Sequence, residues 1–339
     1  EGNSLLTSGW ENNYPHPEYP DVQVLGSALH NSLLSKDAAA ARSLEKRRGR
    51  CYYYHFFGSH GNHEPLLGIP FPWLTHEKLK SCARRKIDTL AHMGGLHPPD
   101  FVPFAVNQEV FRAFQLDSGR KIAEIATEIA ERWAGPEFAP ALVKGWRLAD
   151  RAVRKFMPMS LYSGFGSIWN RLLVRPLVPD IDRIPEDDRA YYERVMVSPP
   201  HNPNRVDLGK DVLFELVPPA YARIARRRID AGVWKPLDAA VRLFRQKARE
   251  AARSGNETAE RVFEDQAVRL EALRCHYRTL RNAAVWIEDV QVRARMSSSV
   301  AEAAADGSAP SRSRSLMIST KPGKRLLRAS ISSAGRAKA

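Results

Sequence analysis

The first hundred residues alternate between short apolar runs and stretches with helical spacing. Residues 22–25, which close at Gly26, the aromatic run 51–57 and residues 87–93 each predict a β-strand. Leucines and alanines recur at helical spacing between the first two strands, and Thr75 is a candidate N-cap for a second helix. The order β-α-β-α-β predicts parallel strands joined by crossover helices.

From about residue 105 the pattern is helical. One apolar stripe begins at Ile122 and stops at Gly135-Pro136, and a second runs from Phe138 to Phe156. The longest helix is predicted over 257–295, where two sets of side chains recur every seven residues: Phe263, Leu270, Tyr277 and Ala284, and Gln266, Leu273, Leu280 and Ile287. We expect this seam to pack on the preceding helix as an antiparallel hairpin through Ser254-Gly255-Asn256, with a coiled-coil dimer as the alternative.

These patterns predict an α/β front followed by a mainly α-helical domain. We assign 1–104 to an incomplete parallel β/α-barrel portion, 105–296 to the helical domain and 297–339 to a disordered basic tail. Because a complete barrel needs eight strands, and because the chain begins at Glu1 and not at Met, we expect a fragment whose amino-terminal barrel portion is missing. The tail is rich in Ser, Ala and Gly and cannot bury enough apolar surface to order itself.

Composition and charge narrow the function classes. The net charge is +14, but outside the tail the basic excess is spread along helices and is not interleaved with aromatic residues, which argues against a nucleic-acid groove. Three scattered cysteines are too few for a disulfide framework. There is no apolar run long enough for a transmembrane helix, no glycine-rich phosphate loop and no Gly-x-Ser-x-Gly elbow, so no membrane span and no cofactor are predicted.

The candidate chemistry lies on the loops that follow the predicted strands, where parallel barrels place their reactive groups. Glu64 and Asp100 are the only acids on the last two of these loops, 58–74 and 94–104. A glycosidase needs a pair of carboxyl groups, so these two are the predicted catalytic residues. The predicted substrate-binding residues are Tyr54, His60 and Trp73. The ordinary alternatives are a surface or capping role for each acid and core packing for Trp73.

Two metal-dependent alternatives involve the same loop. The string Gly61-Asn62-His63-Glu64 matches one signature of calcineurin-like metallophosphoesterases, although their Asp-x-His, Gly-Asp-x-x-Asp and Gly-His-x-His motifs are missing. His55, His60 and His63 with Glu64 make a conceivable zinc set, but their spacing fits no standard zinc site. We therefore predict no metal site.

One segment resembles a known group of enzymes. Phe104-Ala105-Val106-Asn107-Gln108-Glu109-Val110-Phe111-Arg112-Ala113-Phe114-Gln115-Leu116-Asp117, followed by Trp133-Ala134-Gly135 and a helix that contains Trp146, is similar to the segment after the last barrel strand in α-glucuronidases and family 20-like hexosaminidases. The resemblance implies a carbohydrate-active enzyme with a helical domain and a carbohydrate substrate. It includes none of the families' catalytic motifs, so it implies no catalytic residue here.

We therefore expect a glycoside hydrolase-like fragment that is inactive on glycosides by itself. The main alternative is a non-enzymatic helical interaction protein, which would use the long helix and the basic tail to bind a partner.

Overall fold

The computed structural model describes residues 3–7, 9–11, 24–26, 50–56, 68–84, 89–93, 103–156, 184–188, 190 and 219–305, with the single positions 39, 43 and 46. Side chains are described chiefly in 68–84, 103–156 and 222–289. The chain divides into two units, Glu1–Ala294 and Arg295–Ala339. Every side-chain contact reported below lies within the first unit.

Five short strands are described by their backbone. They are β1 (Asn3–Thr7), β2 (Gly9–Glu11), β3 (Val24–Gly26), β4 (Arg50–Phe56) and β5 (Thr89–Met93). Strands β1, β4 and β5 pair in that order, and both pairings are parallel. Strands β2 and β3 form a separate antiparallel pair, with Trp10 opposite Leu25.

The predicted α/β-barrel front is wrong. Where side chains are described, 87% of residues are helical and none lies in a strand, so the fold is mostly helical. The run predicted as the first parallel strand, 22–25, contributes to β3, which pairs antiparallel with β2 and lies outside the parallel sheet. The apolar pattern overlaps the described strand at Val24 and Leu25, but it could not indicate the strand's neighbour, because strand pairing depends on contacts distant in sequence.

Six helices make up most of the part of the chain that the structure describes. They are α1 (Pro72–Arg84), α2 (Val106–Leu116), α3 (Ile122–Lys155), α4 (Pro219–Gly232), α5 (Trp234–Arg253) and α6 (Glu257–Ala305). Within the described residues, no helix combines the length and the apolar character that crossing a membrane requires. Helix α1 begins three residues before Thr75, so the predicted N-cap lies inside the helix. Helix α6 continues to Ala305, into the predicted tail; residues 306–339 lie outside the described ones.

Helix α3 is interrupted at the predicted boundary. Gly135 has φ 79° and ψ 161°, a combination that side chains with a Cβ strongly disfavour. Pro136 follows at the first position of the second helical segment, where its missing N–H group leaves no intrahelical bond unmade. The two segments, 122–134 and 136–155, therefore take different directions, and the apolar stripe changes at the same point.

One core cluster joins residues 69–74, α2 and both segments of α3 to α4, α5 and α6. Its aromatic contacts include Phe138 with Phe263 and the stacked rings of Phe156 and Tyr277, whose centroids are 4.4 Å apart. Helices α3 and α5 approach closely at Gly145, where an added Cβ would lie 2.0 Å from Cε1 of Phe244. Gly145 therefore leaves the space that the Phe244 ring occupies.

The predicted hairpin between α5 and α6 is confirmed. Asn256 donates its backbone N–H to the Ala251 carbonyl and Gly255 donates to the Ala252 carbonyl, with Gly255 at φ 72°, which together form a Schellman motif. The side chain of Asn256 then caps α6 by accepting a hydrogen bond from the backbone N–H of Ala259 (3.0 Å). Three residues thus end one helix and begin the next.

The heptad seam of α6 is buried within this single chain. Its members are at most 1% exposed: Phe263, Gln266, Leu270, Leu273, Tyr277, Leu280, Ala284 and Ile287. Because these side chains are buried in the folded chain, where α3 and α5 contact them through Trp146–Gln266 and Phe244–Phe263, the seam is not available to a second copy. The coiled-coil alternative is therefore wrong for this seam.

Candidate functional site

The candidate site is the groove between α1 and α3, because it contains Trp73. Trp73 is the one predicted site residue whose side chain the structure describes. It lies in the first turn of α1 and not on a loop after a strand. Tyr54 lies in β4, described by its backbone alone, and Glu64, His60 and Asp100 lie outside the described residues, as does His63 of the alternative metal sets.

A buried polar cluster fixes the segment that leads into α1. The fully buried amide of Asn107 donates to the Ile69 carbonyl and accepts the backbone N–H of Phe71, both at 2.9 Å. Arg269 of α6 donates to the carbonyl oxygens of Gly68 (3.5 Å) and Pro103 (2.5 Å). These bonds hold residues 68–71 against α2 and α6 and so set the position of Trp73.

The N-terminus of α1 receives its cap from another helix. Oδ2 of Asp150, on α3, accepts the backbone N–H of Leu74 at 2.9 Å. A carboxylate at this position satisfies a helix-terminal N–H group and interacts favourably with the helix dipole. Asp150 is only 4% exposed, so it locks α1 to α3.

Arg154 joins the two carboxylates of the groove. It donates to both oxygens of Glu77 at 2.7 and 2.9 Å, and its Nε donates to Oδ1 of Asp150. Burial raises the pKa of Asp150, while the Arg154 guanidinium and the Leu74 N–H oppose that shift. Because both oxygens of Asp150 and both oxygens of Glu77 accept hydrogen bonds, this pair is suited to holding helices together and not to transferring a proton.

Two further arginines line the open part of the groove. The guanidinium of Arg147 lies over the indole of Trp73, 5.0 Å from the ring centroid, in cation–π geometry. Arg151, one turn further along α3, is exposed. The cavity between these side chains has a volume of about 380 Å³. The groove thus offers a half-buried aromatic ring beside exposed hydrogen-bond donors.

Sequence reasoning found Trp73 but missed the arginines and Asp150. Arg147, Arg151 and Arg154 are spaced four and three residues apart, so they share one face of α3. That spacing is visible in the sequence, but only the fold places α1 across it. Within the described residues, no group of three or more His, Cys, Asp or Glu side chains is arranged to hold a metal ion.

No protein-family model, no curated protein sequence and no solved structure matches this chain.

Proposed function

We propose that this chain is a mainly helical, non-catalytic part of a carbohydrate-active enzyme of the glycoside hydrolase kind, and that the α1–α3 groove contacts a saccharide. The half-buried Trp73 beside Arg147 and Arg151 carries the proposal. A sugar ring has an apolar face that packs on an indole and hydroxyl groups that accept hydrogen bonds from guanidinium groups.

The residues behind the resemblance to α-glucuronidases and hexosaminidases support this proposal. Asn107 fixes the segment before α1, Gly135 allows the break in α3, and the indole N–H of the fully buried Trp146 donates to Gln266 at 2.9 Å. Each of these residues has a role in the helical packing. The resemblance therefore favours a related helical domain, without favouring a catalytic role for any of these residues.

The two carboxylates of the groove, which are hydrogen-bonded to Arg154, also favour saccharide binding over cleavage of a glycosidic bond. Glycoside hydrolysis needs one carboxyl group able to donate a proton and a second carboxylate able to attack or activate water. In the groove Arg154 holds both Glu77 and Asp150. We accordingly expect the groove to orient a saccharide that is cleaved elsewhere.

Saccharide binding is tested by calorimetric titration of the purified chain with a panel of neutral and acidic oligosaccharides. We expect Trp73→Ala to weaken binding about tenfold, since it removes the aromatic surface. Arg151→Ala is the second variant, because its exposed side chain can be removed without disturbing the core. Trp286→Ala, at a half-buried tryptophan on α6 outside the groove, is the matched control. Equal affinities in all four proteins, or no binding by the wild-type chain, would reject the groove as a saccharide site.

Catalytic incompleteness is tested separately with aryl glycosides and oligosaccharides as substrates. The purified chain should release no product above the uncatalysed rate. The product of the longest reading frame that contains this chain should hydrolyse at least one of these substrates. Turnover by the chain alone, or inactivity of the longer product on the whole panel, contradicts the proposed function.

A further inference from the structure

A second cavity of about 400 Å³ lies where α4 and α5 meet the middle of α6. It is separate in the chain from the α1–α3 groove and shares no residue with it. One wall is a single face of α6, with Arg274, Arg278, Arg281 and Asn282. The opposite wall comes from the junction of α4 and α5, with Asp230, Trp234 and Asp238.

The outer two arginines are held in place by the two aspartates. Nε of Arg281 donates to Oδ1 of Asp230 at 2.9 Å and its Nη2 donates to Oδ2 at 3.2 Å. Nε of Arg274 lies 2.9 Å from Oδ1 of Asp238. Each guanidinium has five N–H donors, so donors remain on both after these bonds are made. The ion pairs therefore orient the arginines without saturating them.

The middle arginine differs from its neighbours. Arg278 is exposed and forms no ion pair with the part of the chain that the structure describes. Asn282, one turn further on, is also exposed and adds an amide to the same face. With three guanidinium groups against two carboxylates, the cavity retains one positive charge, and that charge is at Arg278.

Trp234 gives the cavity an apolar side. It is half-buried at the start of α5, and its indole N–H is directed toward Oδ1 of Asp230 at 3.4 Å. That contact orients the ring beside the arginine row. The cavity thus combines a planar aromatic surface with a cationic group whose forked donors match a carboxylate or phosphate.

We propose that this cavity binds a small molecule that carries one oxyanion, a carboxylate or a phosphate ester, on an apolar or aromatic body. The oxyanion accepts hydrogen bonds from Arg278, and the body packs on Trp234. Arg274 and Arg281 contribute their remaining N–H donors. This site is independent of saccharide binding, so its test neither supports nor rejects the proposed function.

The experiment titrates the full chain with benzoate, phenyl phosphate and the uncharged benzamide, and follows the indole N–H and arginine Nε signals by NMR. Benzoate or phenyl phosphate should shift the Trp234 and Arg278 signals saturably, and benzamide should not. Of the two charged probes, the one that binds more tightly identifies the oxyanion. Arg278→Gln should weaken binding of that probe at least about tenfold, because it removes a charge-assisted hydrogen bond.

Arg261→Gln is the matched control, since Arg261 is an exposed arginine on the same helix outside the cavity. The Arg261→Gln variant should bind the charged probe with the same affinity as the wild type. Trp234→Phe keeps an aromatic ring and should keep part of the affinity for the charged probe. The indole N–H signal that disappears in this variant is the one that belongs to Trp234. The proposal is overturned if neither charged probe shifts these signals at millimolar concentration, if benzamide binds equally well, or if Arg278→Gln and Arg261→Gln behave alike.

Discussion

Single residues with buried polar groups decide how the helices of this protein meet. Gln266 is the polar member of an otherwise apolar seam, yet it accepts the Trp146 indole N–H at 2.9 Å and lies 3.4 Å from the carbonyl oxygen of Phe104. Phe104 has φ 53°, an unusual conformation for an aromatic residue that costs about 1–3 kcal/mol. Contacts from Gln266 and Arg269 to residues 103–104 hold that strained turn. Gln266 is therefore polar because it stabilises this turn and the Trp146 indole.

The contact between Gly145 and Phe244 gives the first prediction. Gly145→Ala should lower the free energy of unfolding by about 1–3 kcal/mol or more, because the new Cβ overlaps a ring that is fully buried and cannot move aside. The measurement is urea unfolding followed by circular dichroism. Gly119→Ala is the control, since its Cβ would meet only the exposed side chain of Asp117, whose Oδ1 would lie 3.1 Å away, in an exposed turn. Its effect should stay within about 0.5 kcal/mol.

A double variant distinguishes overlap from other causes. Phe244→Leu removes part of the ring that Gly145→Ala would strike, so the two changes together should cost less than their sum. Additive losses would show that the substitution acts through something other than this contact.

At the scale of elements, a row of ion pairs joins α4 and α5 to α6. Glu288 contacts Arg223 and Arg226, Asp230 contacts Arg281, and Asp238 contacts Arg274. On the α4–α5 side, the row begins with the positive Arg223 and Arg226, continues with the negative Asp230 and Asp238, and ends with the positive Arg245. A shift of α6 by one turn would bring like charges together, so the row favours one register of the antiparallel helices.

Arg245 carries the second prediction because it contacts two acids of α6. It donates to both oxygens of Glu271, at 2.9 and 2.6 Å, and also contacts Glu264. Arg245→Gln should lower the free energy of unfolding by about 0.5–1 kcal/mol at low salt, a modest loss because the partners are partly exposed. The loss should shrink in about 1 M salt, where screening is strong.

Arg249→Gln is the matched control for this helix. Arg249 is exposed, lies one turn from Arg245 on α5 and forms no ion pair with the part of the chain that the structure describes. Its substitution should leave thermal stability unchanged at either salt concentration. Equal effects of the two substitutions would contradict a specific role for the Arg245 contacts.

At the scale of the whole molecule, the burial of Lys78 links folding to pH. Lys78 is only 2% exposed on α1, and burial lowers its pKa to about 7 from 10.5. Between these two values the unfolded chain binds more protons than the folded chain. The free energy of unfolding should therefore rise with pH across that window, by up to about 1.4 kcal/mol per pH unit.

The third prediction follows from that linkage. Lys78→Met should flatten the rise in stability between about pH 7 and pH 9.5, because it removes the group that titrates. Thermal unfolding at a series of pH values measures the slope. Lys80→Met, at a half-exposed lysine of the same helix, should keep the wild-type slope. A slope unchanged in Lys78→Met would show that Lys78 is not the titrating group.

The sequence by itself determined the local features of the helical body. The break at Gly135-Pro136, the Ser254-Gly255-Asn256 hairpin and the α6 seam depend on backbone preferences and on helical spacing, both of which are written in neighbouring residues. These features could be predicted because each depends on residues within a few positions of one another.

Only the tertiary structure decided which elements meet. The same local pattern that predicted strand 22–25 could not exclude its antiparallel pairing with β2, and it gave no sign that α1 would lie across Asp150. The groove around Trp73 brings together positions 73 and 147, and the second cavity joins positions 230 and 278. Such sites depend on contacts between segments distant in sequence, whose free energies come from packing and desolvation that no single segment contains.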